Sequence, residues 1–252
     1  MSVLRVLLER ERVAVSLCIG AVIILSWAYL WSHASMGLQP GMEMEPGTDM
    51  DGMDMRPPLS FLIPMWWIMM VAMMLPSAAP MILLFSTVSG RQREQGKPYV
   101  PTALFAGTYL AVWGLFSVFA ALLQWWMDVS MEPMTNRWLT GALLIGAGIY
   151  QLTPLKQLCL RQCQAPLRFV LTHWQPGPRG ALVMGTKHGV YCLGCCWLLM
   201  ALLFVGGVMN LYWVMGIALY VFIEKFLPAG GWPSRTLGAL LSIAGVWVLL
   251  TA

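Results

Sequence analysis

Charge is what this sequence has least of. Only 10% of its 252 residues are Asp, Glu, Lys or Arg, against 59% hydrophobic, and the mean hydropathy is +0.70. A soluble domain carries about a quarter charged residues, so this scarcity excludes an ordinary soluble domain. It reads instead as an integral membrane protein of one domain. Imidazole is also rare, with three histidines in the chain, which leaves little for haem or for histidine-built zinc sites. No nucleotide-binding motif and no clear internal repeat occur, and no catalytic residue set or organic cofactor is implied. The net charge of +4 does not point to nucleic acid, because the basic residues fall in loops between apolar runs. Nor do the six cysteines form a secreted disulfide framework: three lie inside an apolar run and two in a basic loop. Reduced thiols are the expectation.

What is present is apolar sequence in lengths of roughly 20 residues, enough to cross a hydrocarbon core as helices. Seven such segments occur, at 13–31, 60–87, 102–126, 138–154, 181–206, 212–227 and 236–252. The fold class is therefore all-α, a polytopic membrane helix bundle of about seven transmembrane helices. The N-terminal run is longer than a signal-peptide core with a cut near Ala34 would be, so it reads as an uncleaved first span. With the N-terminus in the cytoplasm, the inner segments hold Arg5, Arg10, Arg12, Arg91, Arg93, Lys97, Lys156, Arg161, Arg168, Arg179, Lys225 and Arg235. The outer segments hold only Arg56 and Arg137. That is a strong positive-inside bias. The chain then divides into a tail and first span (1–32), a Met-rich outer loop (33–59) and a six-span core (60–252). The core carries an inner Cys-containing loop at 155–180, expected to extend the fourth span as helix and to break at Pro166, Pro176 and Pro178. Gly141, Gly146, Gly148, Gly185 and Gly189 suit close helix packing, and the tryptophans suit interfacial anchoring.

Against that apolar background, sulfur stands out. The fifth span contains KHGVYCLGCCW, residues 187–197. At 100° per residue, His188, Cys192 and Cys195 share a stripe about 60° wide, with Cys196 beside it. A histidine inside a span is rare and usually functional. Lys187 is expected to snorkel or to pair with Glu224 at a similar depth. The second span contains MWWIMMVAMMLPSAAPM, residues 65–81. It sets Met69, Met70, Met73 and Met74 at a similar level, beside Pro76 and Pro80, which loosen the helix. In the outer loop Met36, Met42, Met44, Met50, Met53 and Met55 alternate with acids. Such spacing lets thioethers wrap one soft ion, and the carboxylates raise local cation concentration. In the inner loop Cys159 and Cys163 stand four apart, on one face if helical. Each element has a plain alternative, since free Cys and Met are both ordinary core fillers. Taken together, thioether and thiolate with almost no imidazole suit Cu(I) better than zinc, nickel or manganese.

Three stretches carry a resemblance: MWWIMMVAMMLPSAAPM, GIYQLTPLKQLCLRQCQAPL and GTKHGVYCLGCCWLLMALLFVGGVMNLYWV. Over residues 60–230 the chain resembles a family of bacterial integral membrane proteins described as predicted metal-binding. That resemblance implies a multi-pass protein of the bacterial inner membrane that binds metal, with no reaction and no settled ligand set. The second span is also similar to the M-x3-M filter of eukaryotic copper uptake channels, by analogy only. The expected partners are membrane lipid, a metal ion and a metallochaperone or cuproenzyme; nucleic acid is not among them. The leading expectation is a transporter or relay moving Cu(I) from the outer methionines through Met69, Met70, Met73, Met74, His188, Cys192, Cys195 and Cys196 to Cys159 and Cys163. Two rivals stand beside it: an assembly factor delivering copper to a cuproenzyme, and a thiol–disulfide oxidoreductase using Cys192 and Cys195.

Overall fold

The computed structural model describes residues 2–36, 57–95, 101–127, 136–227 and 231–251. Among them the chain is helical throughout. The helices are α1 (Ser2–Met36), α2 (Leu59–Glu94), α3 (Thr102–Trp126), α4 (Arg137–Leu152), α5 (Pro154–Gln164), α6 (Pro166–His173), α7 (Gly177–Ala201), α8 (Leu203–Gly206), α9 (Leu211–Phe226) and α10 (Trp232–Leu250). Each of the seven apolar segments lies in one or two of these helices. Of the outer-loop methionines, Met42, Met44, Met50, Met53 and Met55 lie outside the described residues.

Five helical stretches are long and apolar enough to cross a membrane: Arg12–Ala34, Leu59–Gln92, Thr102–Trp126, Gly177–Gly206 and Trp232–Leu250. A sixth exists only if α4 and α5 are counted as one span, and these are bent by 65°. The bend follows from the residues at the junction. Pro154 has no amide hydrogen to continue α4. Thr153 caps the new helix, its side-chain oxygen accepting from the Lys156 amide at 3.4 Å. At 16 residues, α9 rises only about 24 Å, short of a hydrocarbon core of about 30 Å. Among the described residues five or six stretches pass this length test where seven apolar segments suggest seven, because α4 and α9 are each only 16 residues long. The tight junction before α9 turns at Gly207, whose φ of 87° suits a residue without a Cβ.

Two packing units build the molecule. One is the pair α4–α10, the most extensive helix contact in the chain. A Cβ at Gly148 would lie 2.7 Å from the Gly238 carbonyl oxygen, and one at Gly245 would lie 2.9 Å from that of Gly141. The second unit is the row α1, α2, α3 and α7, with α5 and α9 packed onto α7 and α2. Close approach of α3 to α7 depends on Gly189, where a Cβ would fall 2.9 Å from Val112. Gly146 is different, since a Cβ there meets nothing within 4 Å, so it takes no part in close packing.

The proline-rich second helix is held by neighbouring side chains. Pro76 cannot donate to the Ala72 carbonyl, and the Trp27 indole of α1 donates to that oxygen instead, at 3.1 Å. Deep in the row, the Trp66 indole donates to Gln124 at 2.7 Å. Both contacts satisfy polar groups that would be costly to leave bare in an apolar interior.

The segment 155–180 departs from its expected form. It is not a loop: α5 and α6 fill most of it, and α5 lies along α7. Its breaks fall at Thr153–Pro154, at Ala165–Pro166 and over residues 174–176, so the fourth span does not continue straight through Pro154.

Candidate metal centre

Helix α7 supplies most of the sulfur. Cys192, Cys195 and Cys196 are each 1% exposed, and all six described cysteines are free. The two later thiols turn back along the helix: Cys195 Sγ donates to the Cys192 carbonyl at 3.0 Å and Cys196 Sγ to the same oxygen at 3.1 Å. Helical spacing places these three side chains toward α2, α3 and α5.

Helix α2 meets them with a thioether. Met65, Met69, Met70, Met73, Met74 and Met81 are all buried, and Met74 makes the close contact, its Sδ 3.9 Å from Cys196 Sγ. Met70 lies one turn earlier on the same face. The loosened stretch around Pro76 exposes the Met74 carbonyl to extra donors: the Ser77 hydroxyl at 2.9 Å and the Tyr109 hydroxyl of α3 at 3.3 Å. Tyr109 also lies 3.2 Å from Cys192 Sγ, so one phenol touches both walls of the sulfur cluster.

Helix α5 brings a fourth thiol. Cys163, half-buried, stands close enough to Cys192 and Cys195 to interact with them electrostatically. Cys159, one turn earlier, packs against Gly194, where a Cβ would sit 2.9 Å from its Sγ. The Tyr150 hydroxyl donates to the Gly194 carbonyl and ties α4 to the same point. Cys163 is therefore placed with the α7 thiols rather than at a separate inner station, and Cys159 stands at the edge of the cluster.

His188 is buried at 3% exposure. Its ring is stacked on Phe105 and Tyr109, with centroids 6.0 and 5.5 Å away, and meets Phe169 edge-on. Its Nδ1 has no hydrogen-bond partner among the described residues. A buried ring nitrogen one turn from Cys192 with no partner in the protein is a lone pair that a soft ion could use.

Lys225 departs from the solvated position that the positive-inside pattern suggests for it: it is buried, and its ammonium enters the sulfur cluster from α9. Nζ lies 3.0 Å from Cys192 Sγ, 3.0 Å from Ser77 Oγ and 3.8 Å from Met74 Sδ. The expected Lys187–Glu224 pair does not form. Lys187 lies on the exposed face of α7, and Glu224 is taken by Lys156, at 2.5 Å from its Nζ. Tyr220 and Ser234 also donate to Glu224, at 3.0 and 2.5 Å, and Gln151 accepts from Lys156. Consecutive residues of α9 thus face two different buried clusters. The available signal was an acid and a base side by side at the end of an apolar helix only 16 residues long.

Chemically, the cluster offers one thioether, three or four thiols and a nearby imidazole nitrogen, on three helices, in a buried place. Among the described residues no three of His, Cys, Asp and Glu close into a metal-holding group by themselves; a thioether touches Cys196 and a buried ammonium touches Cys192. Such a set suits a soft monovalent ion of low coordination number and does not suit zinc, which requires a closed tetrahedron. Met69, Met70 and Met73 are buried on α2 near it.

Residues 63–248 match a family model described as PpoB2, copper chaperone. No curated protein and no solved structure matches the chain.

Proposed function

The chain belongs to the PpoB2 copper chaperone family, and from that premise we propose that it holds Cu(I) within the membrane and delivers it to a copper-requiring partner. The supporting observation is the convergence of Met74 from α2 with the buried Cys192 and Cys196 of α7, joined by Lys225 of α9, with the half-buried Cys163 of α5 beside them. On this reading Cys192, Cys196 and Met74 are the principal ligands. Cys163, Cys195 and His188 are alternates through which the ion is exchanged. Met69, Met70 and Met73 form the sulfur-rich approach, and Met42, Met44, Met50, Met53 and Met55 gather copper at the outer surface. Cys159 holds α5 against α7 beside the site. The N-terminus is cytoplasmic and the membrane is the bacterial inner membrane.

Delivery needs an ion held firmly enough to be kept from water and loosely enough to be passed on. A cluster with more sulfur donors than Cu(I) needs meets both demands, because ligands can be swapped one at a time. The test is elemental analysis of the purified chain, reduced and kept anaerobic, beside a variant with Cys192, Cys195 and Cys196 changed to Ser. Copper retained by the first and lost by the second is expected. Equal copper in both sinks the proposal.

A transport role is a second reading, favoured by the run of methionines in residues 36–55. Vesicles containing only this protein distinguish the two. Accumulation of copper inside them favours a transporter, and bound copper without accumulation favours a chaperone.

A further inference from the structure

Lys225 is an odd neighbour for a copper site. An ammonium and a metal cation repel each other, and a buried lysine ordinarily seeks a carboxylate. The carboxylate next to it in sequence, Glu224, is turned away and bound to Lys156, Tyr220 and Ser234. What Lys225 meets instead is Cys192 Sγ, Met74 Sδ and Ser77 Oγ. Ser77 gives its own proton to the Met74 carbonyl and so offers Lys225 a lone pair. The ammonium is held on the sulfur cluster by a dedicated acceptor.

Charge arithmetic gives this placement a meaning. Cysteine ligands bind a metal as thiolates. Two thiolates and one Cu(I) sum to a single negative charge, and burying an unbalanced charge is expensive. An ammonium within 3.0 Å of Cys192 Sγ brings the sum to zero. Two thiolates and a divalent ion are already neutral, and the same ammonium then leaves a net positive charge buried among apolar helices. We propose that Lys225 is the built-in countercharge of the sulfur site and makes it select monovalent over divalent soft cations. This rests on the copper-holding reading above and adds what sets the ion's valence. A lysine placed only for packing would weaken all metals alike when replaced; a countercharge changes their order.

The experiment compares Cu(I) and Zn(II) affinities by chelator competition on the full chain in detergent, reduced and anaerobic, for the wild type, Lys225→Met and Lys225→Arg. The wild type is expected to prefer Cu(I). Lys225→Met is expected to lose at least about tenfold of that preference, with Zn(II) binding strengthened, since one extra unit charge near an ammonium in a protein interior is worth more than a factor of ten. Lys225→Arg keeps the charge and is expected to keep the preference. Where Lys225→Met fails to fold, Lys225→Gln carries the same comparison. An affinity ratio unchanged on removing the charge, or both affinities reduced in equal proportion, overturns the assignment alone. A wild-type chain that takes up no Cu(I) overturns the copper-holding reading and this assignment with it.

Discussion

Lys156 and Glu224 form an ion pair with almost no contact with solvent, 0% and 2% exposed. Its hydrogen bonds come from the protein: Gln151 accepts from the lysine, and Tyr220 and Ser234 donate to the carboxylate. Removing one partner of such a pair leaves the other charged and stranded, at a cost of about 3–5 kcal/mol, while replacing both by apolar groups is far milder. Lys156→Met alone and Glu224→Met alone are therefore each expected to lower thermal stability in detergent sharply. The double replacement is expected to recover much of the loss. Two equally mild single variants contradict this account. The pair also shows what sequence could not reveal. Lys156 and Lys225 sit at the ends of apolar segments, where the positive-inside rule expects solvated charges. The direction in which α5 folds back, and how α9 seats against it, bring both lysines into the interior and are encoded in no local pattern. Cysteine and methionine were easier to read, because sulfur clustered on helical spacing remains clustered however the bundle is assembled.

At the scale of helices, the seven apolar segments were legible because hydrophobic length alone specifies them. What the 65° bend does to the fourth was partly legible in Thr153-Pro154, a cap followed by a residue that cannot continue the preceding helix. Cys163 was less so: its meeting with α7 depends on the direction of the bend, which no local pattern encodes. The α4–α10 pair provides the sharpest test of a sequence-derived expectation. Gly148 and Gly146 look alike in the sequence, yet a Cβ at the first lies 2.7 Å from the Gly238 oxygen and one at the second meets nothing within 4 Å. Gly148→Val is expected to cost about 1–3 kcal/mol by forcing two backbones apart. Gly146→Val should fall within about 0.5 kcal/mol of wild type. Thermal unfolding of the two variants in the same detergent decides it, and similar losses at both sites would contradict the packing described.

For the whole molecule, the sulfur cluster is a junction. Helices α2, α3, α5, α7 and α9 all send a side chain to it, so an ion bound there ties together elements from most of the chain. Binding to the folded state alone stabilises it by about 2.7 kcal/mol at a hundredfold excess over Kd. Ag(I), a monovalent ion that does not change oxidation state in the assay, is expected to raise the unfolding temperature by several degrees. A variant with Cys192 and Cys196 replaced by Ser should show little rise, and an equal rise in both would place the bound ion elsewhere. The same convergence separates the chain from a simple row of spans, in which each helix touches only its neighbours.

The charges on α5 and α9 also impose an order of assembly. A ribosome makes Lys156 well before Glu224 and Ser234, which lie in the last helices of the chain. Before α9 and α10 are made, Lys156 has no carboxylate partner, and an unpaired ammonium has no place in an apolar interior. The sulfur cluster is likewise incomplete until α9 brings Lys225 to it.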